Sequence, residues 1–262
     1  MQPKKPARRR LVLTSEGGPG TGKTDFFYRT APRPALVINL DLNGEGIEER
    51  YAEDDVLIKR VPVPPMAIFN DSARSEERRK QDADLFTEIR DLYRIAVEKD
   101  YFRSIMIDEG KALWELARRS YLHSLDFGAA KQTSYTPING AMSRFYQLAK
   151  LNRFNLYIPH RQTDERGEHI TQDGKKTSVP TGEKKYAGWS QALYESQCHL
   201  LLTKDDKWAN GNGKDSLGKF DAVITKCTAN TKIEGMMLSG EDITWANIGQ
   251  LVFPMSEDSD WL

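Results

Sequence analysis

A glycine-rich segment at residues 17–24 restricts the possible folds of this 262-residue chain more than any other feature. It fits the pattern GxxxxGK[ST] completely, lies after a short apolar run at 11–13 and precedes a stretch compatible with a helix. Glycines let backbone N–H groups curl around phosphate oxygens because no Cβ obstructs them. The segment therefore predicts a strand–loop–helix unit that binds nucleotide phosphates.

Each residue type in this segment suits a phosphate site. The start of a helix adds partial positive charge, and Lys23 is expected to reach the β- and γ-phosphates as a compact cation. Thr24 is expected to offer its hydroxyl to Mg²⁺. We therefore expect ATP and Mg²⁺ as cofactors. The predicted binding residues are Gly17, Gly18, Pro19, Gly20, Thr21, Gly22, Lys23 and Thr24.

Carboxylates follow two further apolar runs. The run 104–107 ends in Asp108 and Glu109, and a run that begins at Ala35 ends at Asp41. Asp108 is the predicted metal residue beside Thr24, since a phosphate loop needs a carboxylate on a neighbouring strand. Glu109 is the favoured general base for the attacking water, and Asp41 remains an alternative.

Apolar strand-like runs alternate with helical periods at about 75–99, 111–122 and 141–151. This pattern predicts an α/β fold with a mainly parallel central sheet flanked by helices. Strand signals near 200–202, 220–224 and 236–238 lie close together, which indicates a mixed or antiparallel C-terminal extension. The expected organisation is a basic arm at 1–10, one domain at 11–254 and an acidic tail at 255–262.

Composition excludes several classes of protein. Lys and Arg total 38, as do Asp and Glu, so the chain is not a globally basic nucleic-acid binder, although a local basic patch remains possible. No apolar run is long enough to span a membrane, and no secretory signal follows the basic start. The two cysteines fit a reducing compartment, so a cytoplasmic protein is expected. The four histidines and two cysteines show no metal-binding spacing, so no structural zinc site is expected.

These motifs resemble those of RecA-like and AAA-type P-loop ATPases, closest to small phage-encoded members of the single-strand annealing and recombination class. Residues 35–41 with 44–46 resemble the second strand of that core, and 157–162 resemble its later sensor strand. The resemblance implies a RecA-like P-loop NTPase core that hydrolyses ATP and associates into rings or filaments. Glu109 departs from RecA-like members, which often have Ser or Thr there, and moves the site toward the AAA type.

The same resemblance implies roles for later residues. His160 would sense the γ-phosphate, and Lys226 or Lys232 would reach a neighbouring subunit's phosphate. Residues 161–188 would form a mobile loop that binds single-stranded DNA, although six basic against five acidic residues give this loop no strong positive charge. Its candidate DNA-binding residues are Arg161, Lys175, Lys176, Lys184, Lys185 and Tyr186.

Residues 256–262 are acidic and end in Trp-Leu, which resembles the tails by which single-strand-binding proteins recruit partners. A disordered, solvated end is the simpler interpretation of this tail, and docking of a protein partner on it is the functional alternative. Two other functions fit the phosphate loop. One is a motor or assembly ATPase acting on a protein partner, and the other is a nucleotide-dependent binding module with little turnover.

Overall fold

The computed structural model describes residues 9–41, 48–51, 55–64, 76–121, 135–170, 176–204 and 220–261, without the side chains of residues 169, 170 and 176. The strands are β1 (Val12–Gly17), β2 (Ala35–Asn39), β3 (Val56–Arg60), β4 (Ser104–Asp108), β5 (Asn155–Ile170), β6 (Lys176–Ala187), β7 (Cys198–Lys204), β8 (Phe220–Cys227) and β9 (Met237–Ser239). The helices are α1 (Lys23–Thr30), α2 (Glu76–Glu98), α3 (Gly110–Tyr121), α4 (Thr136–Asn152), the single turn α5 (Ala192–Glu195) and α6 (Trp245–Val252).

The strands form a sheet in the order β3-β2-β4-β5-β1-β7-β8-β9, and β6 pairs with β5 outside this path. Neighbours from β3 to β7 run parallel, whereas β7-β8, β8-β9 and β5-β6 are antiparallel. The fold is therefore α/β, with a mostly parallel central sheet flanked by helices and antiparallel C-terminal strands. This fold class confirms the sequence-based prediction.

Helices cover both faces of the sheet, which is why its parallel strands are continuous apolar runs. On one face α2, α3 and α4 bury a core that includes Phe86, Leu113 and Phe145. On the other face α1 and α6 bury a second core that includes Phe27 and Trp245. The carboxyl ends of β1, β4 and β5 meet at one edge of the sheet, and this edge carries the phosphate loop.

The stretch 161–188, predicted as a mobile loop, is a hairpin over most of its described residues, and its mobility remains a prediction. β5 continues to Ile170 and pairs with β6 as a hairpin, with an irregularity between Asp164 and Arg166. The outer hairpin is held by backbone hydrogen bonds, and most of its described side chains are exposed or half-buried on both faces. It therefore lacks the alternation of apolar and polar residues by which strands are recognised in sequence.

The prediction of a free acidic tail is wrong for residues 256–261. Trp261 is 1% exposed, stacks on Phe253 at 6.0 Å and donates its indole N–H to Ser256 Oγ at 3.0 Å. Asp260 forms an ion pair with Arg9 at 3.3 Å, so the basic arm meets the acidic tail. Packing removes the large apolar surface of the indole ring from water, which favours the buried position over an exposed one. Residues 1–8 and 262 lie outside the described residues.

None of the helices in the described part of the chain is both long enough and apolar enough to cross a bilayer.

Candidate nucleotide-binding site

The segment 17–24 folds as the sequence predicts, between a strand and a helix. Gly17 ends β1, and α1 begins at Lys23 with Gly22 as its N-cap. Gly20 and Gly22 have φ values of 72° and 80°, in the left-handed region that favours glycine. The loop therefore places the start of α1, with its free backbone N–H groups, at the carboxyl edge of the sheet.

Close packing explains two of the glycines. A Cβ on Gly17 would lie 2.5 Å from the carbonyl oxygen of Leu202 in β7. A Cβ on Gly22 would lie 2.4 Å from the ring of Phe220, the first residue of β8. The C-terminal strands therefore support the phosphate loop from one side, which the sequence motif alone does not indicate.

The ammonium group of Lys23 points back into the loop. It donates hydrogen bonds to the carbonyl oxygens of Gly17 and Gly18 at 2.8 and 2.7 Å. Burial lowers the pKa of Lys23, and the neighbouring Asp108 carboxylate opposes that shift. A phosphate oxygen at this position would replace the two carbonyl acceptors and offer a full negative charge.

Thr24 and Asp108 meet although 84 residues separate them in the sequence. The Thr24 hydroxyl donates a hydrogen bond to Asp108 Oδ2 at 2.8 Å. Asp108 ends β4, which lies two strands from β1 with β5 between them, so the contact spans the edge of the sheet. The predicted metal pair is thus brought together, and its metal role remains a prediction.

Burial dominates the electrostatics of the two adjacent acids. It raises the pKa of Asp108 to about 6, against the hydrogen bond from Thr24, which lowers it. Burial also raises the pKa of Glu109, while the Arg161 guanidinium opposes the shift. Carboxyl groups with raised pKa values in a polar edge are typical of sites that bind cations or move protons.

Arg161 joins the two candidate bases. Its Nε donates to Glu109 Oε2, and its Nη2 donates to Asp41 Oδ2. The resemblance predicted a DNA contact for Arg161, but in this structure its guanidinium is held by both acids. Sequence reasoning missed this bridge because Arg161 is 52 residues from Glu109 and 120 from Asp41 along the chain.

His160 lies at the same edge but is fully buried. Its ring packs 4.5 Å from the ring of Tyr186, and a Cβ on Gly110 or Gly188 would clash with it. Burial lowers the pKa of His160 to about 3, so the imidazole is neutral at physiological pH. Its sensor role is untested. Tyr186 is half-buried against this ring, and its predicted contact with DNA bases remains a prediction.

The remaining predicted residues lie apart from the loop. Lys226 is half-buried, with its Nζ 3.7 Å from the ring of Tyr194, and Lys232 is exposed in a short turn. Lys184 pairs with Asp164 across the hairpin, and Lys185 is exposed. Lys175 lies outside the described residues, as does the side chain of Lys176. Roles of these lysines toward DNA or a second subunit remain predictions.

A polar network beneath the loop escaped sequence reasoning. His199 Nδ1 is 2.8 Å from Thr14 Oγ1, and its Nε2 is 3.5 Å from Glu16 Oε1. Gln162 at the base of the hairpin donates to Glu16 at 3.4 Å. Glu16 directly precedes the phosphate loop, so the network links that loop to the hairpin. The sequence signal for this network is the presence of single polar residues within apolar strands, because buried polar groups need hydrogen-bond partners.

The side chains at this edge fit a hydrated Mg²⁺ ion. The Thr24 hydroxyl and the Asp108 carboxylate supply adjacent oxygens, and Glu109 adds a carboxylate linked to the same cluster. Mg²⁺ prefers oxygen ligands, is held by one or two carboxylates and shares phosphate oxygens of its nucleotide. The donor set and the glycine loop agree with a bound magnesium–nucleotide complex.

Comparison with solved structures finds distantly similar chains. No protein-family model and no curated protein matches the chain. A KaiC-like protein from the archaeon Pyrococcus horikoshii OT3 has a TM-score of 0.44 and 11% identity, covering 87% of this chain and 84% of that protein. The RadB recombinase has a TM-score of 0.41 and 10% identity, covering 86% and 84%. Function therefore has to be inferred from this chain's own side chains.

Proposed function

We propose that this chain is a Mg²⁺-dependent, RecA-like ATPase that acts on single-stranded DNA in phage recombination, annealing or replication. The contact between the Thr24 hydroxyl and the Asp108 carboxylate, beside a complete phosphate loop, carries the proposal. It supplies the metal-binding pair that a phosphate loop needs for hydrolysis. A glycine turn without a nucleotide would have no need of this half-buried carboxylate.

Different residues would bind the phosphates, hold the metal and activate the attacking water. Lys23 and the start of α1 bind the phosphates, and Thr24 and Asp108 hold the metal through oxygen. Bound Mg²⁺ would neutralise the charge that develops on the transferring phosphate. Glu109 or Asp41 would orient the attacking water and accept its proton.

Arg161 supports a coupling between hydrolysis and the hairpin. A carboxylate whose oxygens bind a guanidinium is a weaker base, so Arg161 has to release Glu109 or Asp41 before either accepts a proton. Arg161 pairs with Ala187 at the base of the hairpin. A ligand that moves the hairpin would therefore move Arg161 and free the base, which gives ligand-stimulated turnover.

The test is an ATPase assay with and without single-stranded DNA. We expect Mg²⁺-dependent phosphate release that DNA stimulates, and its loss in Lys23→Ala. Full turnover in Lys23→Ala would rule out every hydrolytic proposal. For the hairpin, Lys184→Ala with Lys185→Ala should weaken DNA stimulation. Lys99→Ala, an exposed residue preceding β4 at the opposite edge, is the matched control.

We also propose self-association as a ring or filament in the cytoplasm, with Lys226 or Lys232 completing a neighbour's site. Mass photometry with ATP and single-stranded DNA tests it, and a particle that stays monomeric under all conditions contradicts it. Substitution of either lysine by alanine should lower turnover without lowering nucleotide binding.

A second candidate, an ATPase that remodels or assembles a protein partner, is favoured by the charges of the hairpin. Lys184 is matched by Asp164, and Arg161 is matched by two acids. DNA that changes neither turnover nor oligomeric state would select this candidate. A binding module using the tail loses support, because Trp261 is buried.

A further inference from the structure

The two cysteines of the chain, distant in sequence, face each other across β7 and β8. Cys198 is the register partner of Cys227, and both side chains are buried as free thiols. Each thiol also lies within hydrogen-bond reach of the other. Neither residue belongs to the nucleotide site, and both lie in the core that α1 and α6 cover.

Backbone hydrogen bonds define the type of this pair. The N–H of Thr228 donates to the carbonyl oxygen of Gln197 at 2.9 Å, which makes that next pair a hydrogen-bonded one. Since the two types alternate along an antiparallel ladder, Cys198 and Cys227 form a non-hydrogen-bonded pair. Consistently, the N–H of Cys227 turns to the carboxylate of Glu234 at 2.8 Å.

Non-hydrogen-bonded pairs bring the two chains closest together. Their Cα atoms lie about 4.5 Å apart, within the range of about 4.4–6.8 Å that disulfides span. The backbone is therefore already placed for a bond between the two sulfur atoms, without a shift of either strand.

The surroundings also favour reactivity at one of the two sulfurs. The N–H of Asn230 donates to Cys227 Sγ at 3.3 Å, in the turn that follows β8. Hydrogen bonds from Cys198 and from this turn lower the pKa of Cys227 to about 7, against its burial. Cys227 is thus suited to react first, and Cys198 to resolve the product.

We propose that Cys198 and Cys227 form a reversible oxidation site that closes to an intramolecular disulfide with hydrogen peroxide as oxidant. The Cys227 sulfur attacks one peroxide oxygen, the O–O bond breaks, and the leaving hydroxide takes the thiol proton as water. The Cys198 sulfur then attacks the resulting sulfenic acid, the S–O bond breaks, and a second water leaves with the Cys198 proton. One peroxide is reduced to two waters, and two thiols are oxidised. A small thiol reductant reverses the step by exchange.

The bond would act on the fold rather than on the nucleotide. Cys198 aligns with Leu13 in β1, four residues before Gly17, so the disulfide would lie well away from the phosphates. It would tie β8 to β7 and hence to the strand that carries the phosphate loop. Oxidation should raise the thermal midpoint and leave ATP binding intact.

The experiment treats the native full chain with graded hydrogen peroxide, denatures it in an excess of alkylating reagent and measures its intact mass. We expect a monomer that lacks two hydrogens and takes up no alkyl group, and we expect a small dithiol to restore two alkylation sites. Peptide mapping should find one Cys198–Cys227 crosslink, and the thermal midpoint should rise by about 5 °C.

The serine variants locate the reactive sulfur. Cys198→Ser should leave Cys227 as a trappable sulfenic acid, whereas Cys227→Ser should react slowly. Two alkylated thiols after treatment of the folded wild-type protein, or crosslinks only between chains, would overturn the proposal. This wild-type measurement decides the matter even where a serine variant fails to fold.

Discussion

Replacing Asp108 with asparagine is expected to stabilise the folded chain at neutral pH while removing its metal-dependent activity. The pKa of Asp108 is about 6 in the folded protein, against 3.8 as its ordinary value. A difference of about two pKa units corresponds to about 3 kcal/mol. Because the side chain is half-buried and some solvent screens it, we expect a gain of about 1–3 kcal/mol.

The pH dependence follows from the direction of this shift. Between pH 3.8 and about 6 the folded state keeps a proton that the unfolded state has lost, so wild-type stability falls as pH rises. Above about pH 6 Asp108 is ionised in the folded state too, and the free-energy cost of burying its charge is fully present. Asparagine has no proton to lose, and its amide oxygen still accepts the hydrogen bond from Thr24.

The assay is urea denaturation of both proteins from pH 5 to pH 8. The free-energy difference in favour of Asp108→Asn should grow with pH up to about 7 and then level off. Asp164→Asn is a control of opposite sign, since Lys184 lowers the pKa of Asp164 and that stabilisation is lost on substitution. A variant that is less stable than wild type at every pH, or a gain without pH dependence, would refute the reasoning. Added Mg²⁺ and ATP should narrow the difference, because wild type has the Asp108 metal ligand and is stabilised more.

Three further predictions concern packing and coupling. Trp261→Ala should lower the free energy of unfolding by about 3–5 kcal/mol in urea titrations, whereas the 85%-exposed Met255→Ala should change it by less than about 0.5. Gly140→Ala should stabilise the fold by about 0.5–1 kcal/mol in thermal melts, because a Cβ at this position on α4 meets no neighbouring atom. Gly110→Ala should instead destabilise the fold by about 1–3 kcal/mol, since its Cβ would lie 2.1 Å from the buried ring of His160. Arg161→Gln should raise phosphate release without DNA several-fold and abolish its response to DNA; unchanged stimulation would contradict the coupling.

The sequence predicted the parts of the site in which chemistry dictates residue type locally. Gly20 and Gly22 are needed for their positive φ angles, and Thr24 is the second residue of the helix that follows them. The relative positions of these residues are therefore set within the motif itself. Asp108 could be placed opposite Thr24 because both follow apolar strands and such strands end at a common edge. Packing partners across the sheet, such as Phe220 against Gly22, needed the structure.

Features that depend on distant pairing could not be predicted. The bridge from Arg161 to Glu109 and Asp41 depends on how three strands are aligned in the sheet. The β5–β6 hairpin that starts at Arg161 has polar residues on both faces. Trp261 is buried because its ring packs directly over Gly249, where a Cβ would lie 2.5 Å from it. The acids and serines next to Trp261 in the sequence give no sign of this contact. In each case the local composition resembles solvated chain, and tertiary contacts decide otherwise.

The position of β1 between β5 and β7 has a consequence for the order of folding. Leu13 pairs with Tyr157 on one side and with Cys198 on the other, so both edges of the first strand wait for strands that are synthesised much later. During synthesis from the N-terminus, β1 keeps an open edge until nearly 200 residues have emerged. Contacts of such long range slow folding and leave an apolar strand exposed to association meanwhile. Competence to bind nucleotide should therefore arise late, and a nascent chain released before β7 should aggregate rather than bind.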